Sequence, residues 1–420
     1  MKLSSILPRL LATAALFVSI SSCSENLDSS GVCDVLCPVI GGEVKNITLD
    51  AVVIDTTVLS LSGLGTEPIL LLANRGDTLD TRVIVRFDSL PATFIPAGDT
   101  ARPISSVDSA YILLRLDTLK IKGAEPVTIE AYDVDTTAED TSTAAVLALF
   151  RPDRFISSQT FARGELTDSV KYFISNSFLL GKLQNKLPAR IGLRATGIGS
   201  NELHFIATEG LLPPIMFFRA TPDTNTKPLT VTEFSKTPAG QPIVSNNLTD
   251  YTVVAKAPPA PPSGVLAVGG LPPNRVYFRF DIPSAIIDSA TVVRATLILN
   301  QLPNDLLDPT DTIRVVPQVV LAGPVVTDPE KAAQIIATLS ADTLTLKPGG
   351  SGTTNVELAR AFSLWHTQAA DTLPRAIVLR SVTEGTNALE IRFSSTEDAI
   401  AALRPRLRIS YTSTVPLGLP

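Results

Sequence analysis

"TRVIVRFDSLP" (81–91) and "NRVYFRFDIPS" (274–284) decide the fold of this chain. In the first, Val83, Val85 and Phe87 fall on one side of an extended strand, with Arg82, Ile84, Arg86 and Asp88 on the other. Such period-two alternation predicts a strand with one buried face, as in an antiparallel sandwich. Each stretch also ends a hairpin. "PILLLANRGDTLDTRVIVRFD" (68–88) turns near Gly76 and Asp77, and "GVLAVGGLPPNRVYFRFD" (264–281) turns through Gly269 to Asn274.

Three further blocks recur in the same order. "VDSAYILLRL" (107–116) matches "VVRATLILNQL" (292–302), and "RIGLRATGIGSNELHFIATE" (190–209) matches "AIVLRSVTEGTNALEIRFSSTE" (376–397). "PPIMFFR" (213–219) and "RPRLRISYT" (404–412) close the copies. Four ordered blocks at offsets of about 185 to 193 residues indicate duplication of one unit. In "LEIRF", Leu389, Ile391 and Phe393 point inward, with Glu390 and Arg392 outward. Helical stretches are minor, with "PEKAAQIIATLSA" from Pro329 and "NVELARAFSLWHTQ" from Asn355 the best candidates, each in a connection between strands.

The expected architecture is all-β: two tandem antiparallel, jelly-roll-like sandwich modules. Their bounds read as 45–219 and 243–414, separated by a Thr- and Pro-rich connector at 220–242 and followed by a short tail at 415–420. "APPAPPSG" (257–264) is too proline-dense for a central strand and reads as an edge segment or exposed loop.

Composition agrees. Of 420 residues 45% are apolar, enough for substantial cores, and β-branched residues broken by Pro and Gly favour short strands. The formal charge is −6, with no cluster of Lys and Arg, which argues against a nucleic-acid partner.

The first residues read as an address. Lys2 and Arg9 precede the apolar run "LLATAALFVSI" (10–20), too short to span a bilayer but suited to a signal peptide. "ISSC" then resembles the bacterial lipobox. It implies removal of residues 1–22, a lipidated Cys23 at the mature N-terminus and a tether at 23–44. The alternative is a free cysteine behind an ordinary secretory signal. Loss of Lys2 and Arg9 leaves 33 basic against 41 acidic residues, a net −8. Ser24 after the cysteine favours the outer membrane of a Gram-negative envelope. With Cys23 acylated, Cys33 and Cys37 form an even pair, and an oxidising compartment favours a disulfide between them. Free thiols and a metal site are the alternatives, the latter without a second CxxC or a nearby histidine.

Taken together, the Arg-Phe-Asp hairpin, the A-x-L-x-L strand at Ala295, Trp365, Leu379, the Phe393–Ser395 triplet and the Pro405–Tyr411 strand resemble the DNRLRE-type extracellular domain. That family is similar to β-sandwich carbohydrate-binding modules. The first copy departs from it, with Phe178 or a neighbour where Trp365 stands and "HFIATE" for "RFSSTE". The resemblance implies a fold and an extracellular setting more than an activity.

Catalytic motifs are absent: no GxSxG, HExxH, GxxxxGK[ST] or helix-opening GxGxxG occurs. His204 and His366 form no evident pair, and no catalytic residue, metal site or cofactor is expected. "NRGDT" (74–78) reads as a turn. "DVDTTAEDT" (133–141) and "NDLLDPTDT" (304–312) read as solvated loops that lack a calcium-ligand spacing. Trp365, spaced from Leu358 and Phe362 along one helix face, reads as a core residue and not a sugar platform. The expected function is a non-catalytic, lipid-anchored envelope protein that interacts with a polysaccharide or an envelope protein. The rival is a polysaccharide-active enzyme using a carboxylate pair in a sandwich groove.

Overall fold

The computed structural model describes residues 44–60, 65–135, 142–222, 225, 227–236, 249–323, 325–338, 343–367 and 373–413. Cys23, Cys33 and Cys37 lie outside these residues, as do the signal segment and the tail at 415–420. The chain is all-β, and its strand ladders are antiparallel. Two cores form. One is built around Val83, Val85, Phe87, Ile112 and Leu193, the other around Val276, Phe278, Leu297, Leu379 and Phe393.

Each core lies between a large and a small sheet. In the first sandwich the large sheet runs Asn201–Ile206, Ile69–Asn74, Asp80–Phe87, Ala189–Thr196, Val127–Asp133, Phe155–Phe161. Its small sheet runs Ser169–Phe173, Val107–Arg115, Ile215–Ala220, Leu229–Thr232. The second sandwich repeats this plan. Its large layer runs Glu390–Ser394, Val265–Gly269, Asn274–Phe280, Ala376–Ser381, Ile313–Val320. Its small layer runs Gly352–Glu357, Ala290–Leu302, Arg406–Ser413, Lys45–Leu49. The recurring sequence blocks therefore occupy matching strands. The layers of the second sandwich join where Gln301 pairs with Phe393, and the first has a single bridge at the matching place, Leu116 with Phe205.

The strand pairing departs from the boundaries read in the sequence. Lys45–Leu49 and Val52–Leu59, placed by order in the first module, pair with Arg406–Ser413 and Asn274–Phe280 of the second sandwich. Conversely, Leu229–Thr232 and Asp250–Lys256, placed in the connector and the second module, pair with Ile215–Ala220 and Asp80–Phe87 of the first. The two halves exchange strands.

Both exchanged segments act as wedges. The hairpin arms Ile69–Asn74 and Asp80–Phe87 pair with each other only at Ala73–Thr81 and Asn74–Asp80. They then diverge, and Asp250–Lys256 fills the gap, with Thr252 Oγ1 accepting from the Leu71 N–H at 3.0 Å. In the second sandwich the arms meet only at Gly269–Asn274. Val52–Leu59 fills that gap, and Thr57 Oγ1 accepts from the Ala267 N–H at 3.0 Å. A side-chain acceptor on the wedge thus satisfies a backbone donor that the split hairpin would leave unpaired.

Alternation identifies the inward residues, but the central strands of the large sheets are buried on both faces. In the first, the helix Thr143–Leu147 lays Val146 near Ile84, Tyr132 and Tyr251. In the second, Pro329–Ala332 lays Ala332 near Tyr277, Val320 and Val378. Leu71 and Ala73 meet Leu271 and Ala388 of the opposite sandwich. The helix expected from Pro329 is thus one turn long and gives way to a strand at Ile336–Thr338. The one expected from Asn355 begins at Ala359, after a strand that runs to Glu357. The helix Asn176–Gln184 buries Leu179 and Leu183, while Phe178 is half-buried at the margin of the core.

Candidate functional site

With the central strands of the large sheets covered, the small sheets carry the outward faces. On the first sandwich, alternation directs Ala110, Ile112 and Leu114 into the core and leaves Tyr111, Leu113 and Arg115 half-exposed. Phe173 and Phe217 stand directly opposite Tyr111 on the two neighbouring strands, and Thr230 continues the row beyond Phe217. The Tyr111 and Phe217 rings are stacked, with centroids 5.2 Å apart and planes inclined by 17°. Phe173 lies 5.8 Å from Tyr111, tilted by 56°, and is 52% exposed. Leu113 and Ile215 form an apolar row beside the rings, and Lys171 Nζ stands 5.3 Å from the Tyr111 ring centre. Three outward rings in a cross-strand row, two near-parallel and the third tilted, give an apolar strip bordered by charge.

A second feature is a cleft of about 400 Å³ between the sandwiches. Asp117, Lys122, Glu202 and His204 line one wall, with Asp311, Arg314 and Asn387 on the other. Glu202 is ion-paired with Arg75 and lies 3.8 Å from Lys122, which itself pairs with Asp311. The Lys122–Asp311 pair ties the two sandwiches together, and the Glu202 contacts hold Lys122 and Arg75 within the first. His204 is 5% exposed, and burial holds its imidazole down at about 4, with Lys122, Lys120 and Arg75 adding to the effect. His366 is elsewhere: its Nδ1 is 2.6 Å from the Ile287 carbonyl in the second sandwich. The structure does not bring the two histidines together.

The carboxyl groups pushed upward by burial gather at the seat of the first wedge. Asp250 is fully buried, and its Oδ2 accepts from Thr208 N and Oγ1 at 2.8 and 3.2 Å. Glu233, Glu209 and Glu67 surround it, and burial raises all four, Glu233 most strongly, with the Asp250 charge pushing the three glutamates further up. In the second wedge, Asp55 accepts from Thr396 N and Oγ1 at 2.7 and 2.6 Å. Buried Ala51 lies on the same approach to that wedge as Glu233 does to the first.

The other expectations resolve as follows. Trp365 is 4% exposed and lies in the second core, 5.3 Å from the Phe362 ring and 6.0 Å from Phe280. Arg75 of the Arg-Gly-Asp string is ion-paired inward at a turn where Gly76 has φ 56°, so the string is a structural turn. Asp133 and Asp135 each lie 3.0 Å from Lys182, and Asp308 accepts from Thr310. Among the described residues no group of three His, Cys, Asp or Glu is placed to hold a metal ion. No described helix is long and apolar enough to cross a membrane.

No family model matches the chain, and no curated protein does. Among solved structures, similarity is found to the infectious bursal disease virus VP2 subviral particle, at 9% identity over 84% of this chain and 77% of that one, with a TM-score of 0.14. The N-terminal tandem CBM22 domains of Paenibacillus barcinonensis Xyn10C match at 7% identity over 89% and 98%, with a TM-score of 0.13. Scores this low carry no argument about fold or function.

Proposed function

We propose that this chain is a non-catalytic, lipid-anchored protein of the bacterial envelope that binds polysaccharide on the outer face of its first sandwich. The row Phe173–Tyr111–Phe217 carries this reading. Pyranose rings present flat C–H faces that pack on aromatic surfaces, and three rings in line suit a chain better than a single sugar. Lys171, Arg115 and Arg219 border the strip and supply donors for hydroxyl or carboxylate groups. Trp365 has no part in it, because the core encloses that ring.

Anchoring rests on "ISSC" behind the apolar run at 10–20. Two or three acyl chains on Cys23, at about 0.8 kcal/mol per buried methylene, hold a protein at a membrane. A glycan array probed with the chain lacking its first 22 residues tests the binding claim. Tyr111→Ala is expected to weaken the strongest signals on the order of tenfold, a loss of about 1.4 kcal/mol. Undiminished binding by that variant, or hydrolysis of the bound glycans, counts against this reading. Cys23→Ala is expected to move the full-length protein from the membrane to the soluble fraction.

A further inference from the structure

The two wedge strands share more than their position. Aligned through their acceptors, they read "DTTVL" (55–59) and "DYTVV" (250–254), a recurring Asp-x-Thr-Val. Asp55 stands opposite Phe278, and Asp250 opposite Val85, the matching residue of the first hairpin. Each aspartate takes the N–H and hydroxyl of a threonine in a matching Ser-Thr-Glu or Ala-Thr-Glu turn, Thr396 or Thr208. Each wedge threonine takes the N–H of the split arm, Ala267 or Leu71. An acceptor therefore recognises the Asp-x-Thr-Val strand and not the chain position from which it arrives. The duplication adds a second consequence: each half's own wedge strand sits in the other half.

We infer that the same exchange also runs between chains, with residues 45–59 of one copy completing the second sandwich of another. The donor in that exchange is the N-terminal pair and not Asp250–Lys256, for two physical reasons. Asp250–Lys256 is covalently tied to described strands on both sides, at Leu229–Thr232 and Val265–Gly269, whereas Lys45–Leu49 and Val52–Leu59 join the other described strands only through residues 60–68. Withdrawal of the N-terminal pair therefore requires no threading of the chain. The N-terminal wedge is also seated less deeply: Val58 is its only buried side chain, while the first four residues of Asp250–Lys256 are all buried. Closure within one chain and closure between chains make the same contacts. They differ only in effective concentration, which for short connections lies in the millimolar range, so linkage between copies grows where copies are crowded.

Ile54 and Arg279 are directly opposed across the second wedge, half-buried and exposed respectively. Opposed residues of antiparallel strands have Cα atoms about 4.5–5.5 Å apart, within disulfide reach. The test uses the full chain with Cys23, Cys33 and Cys37 changed to Ser. Chains carrying Ile54→Cys alone and Arg279→Cys alone are mixed, unfolded and refolded from micromolar to millimolar concentration with oxidised glutathione. The expected result is a disulfide-linked heterodimer whose yield climbs with concentration and exceeds that from Ile54→Cys mixed with Arg151→Cys, an exposed site on the first sandwich. A yield equal to that control, or flat with concentration, overturns the inference. A single chain carrying both Ile54→Cys and Arg279→Cys keeps the test decisive. It is expected to close on itself at low concentration, and its failure to do so removes the exchanged arrangement and the inference with it.

Discussion

The outer faces of the two small sheets occupy the same place in the fold and carry opposite chemistry. Through the strand registers, Phe173–Tyr111–Phe217–Thr230 on the first sandwich corresponds to Glu357–Thr296–Arg408–Thr48 on the second. On the second face Arg294 bonds the Glu357 carboxylate at 2.7 Å, and Thr296, fully buried, donates to it at 3.0 Å. On this face an ion pair and a buried hydroxyl occupy the positions of the rings. Inward residues are alike in both copies because both must fill a core, as with Ala110 and Ala295 or Ile112 and Leu297. Outward residues carry no packing constraint. The outward aromatic row, with Phe173 exposed and Tyr111 and Phe217 half-buried, therefore stands on one sandwich only, which is the observation the proposed binding face rests on.

The cores also differ, and the largest expected effect tests that difference. Trp365 closes the second core from the helix Ala359–Thr367, while the smaller Leu179 and Leu183 do this for the first. Trp365→Ala is expected to cost about 3–5 kcal/mol in a denaturant melt, and Leu183→Ala about 2–3. Equal costs would mean that the larger Trp365 ring braces the second core no more strongly than Leu183 braces the first. Trp365 fluorescence, unambiguous because the chain has one Trp, is expected to be blue-shifted and poorly quenched.

Next comes pH. His204, held at about 4 against an ordinary 6.5, stays neutral in the folded chain while the unfolded chain takes up a proton. Its contribution is full above about 6.5 and is lost as pH falls toward 4, by on the order of 3 kcal/mol when complete. His204→Gln is expected to flatten the stability profile across that window. An unchanged slope would place the proton uptake elsewhere.

The wedges give a smaller, opposed pair of effects. The carboxyls around Asp250 are raised, so their contribution is full in acid and is lost as pH climbs through their raised values. Asp250→Asn keeps an acceptor for Thr208 and removes a buried charge. It is expected to stabilise the chain at pH 7 by about 1 kcal/mol, with the gain vanishing in acid. Asp55→Asn, with Ala51 in place of Glu233, is expected to cost about 1 kcal/mol at pH 7. The same sign for both would show that the acid cluster does not distinguish the wedges.

Much of the fold is legible in the sequence, and the reason is period. Alternation in "RVIVRFD" and "LEIRF" picks out Val83, Val85, Phe87, Leu389, Ile391 and Phe393, all of which lie in the cores. Period says which residues turn inward, not which strand lies alongside. Nothing in "DTTVL" or "DYTVV" tells an own hairpin from the duplicate's, since both acceptors offer the same bonds, and so the exchange is visible only in the pairing. Cover is equally hidden: Ile84 alternates outward, yet Val146, far along the chain, comes to lie over it. The aromatic row falls between these cases. Alternation marks Tyr111 as outward, but its alignment with Phe173 and Phe217 depends on two registers that a single strand does not contain.

The most direct test rewrites the first face as the second: Phe173→Glu, Tyr111→Thr and Phe217→Arg in one chain. The three side chains lie outside the core, so its melting temperature is expected to stay within a few degrees of the parent's. On a glycan array the parent is expected to bind a defined set of polysaccharides, and the rewritten chain to lose those signals by at least about tenfold. A rewritten chain that folds normally and binds the same glycans as strongly would contradict the assignment of the binding face.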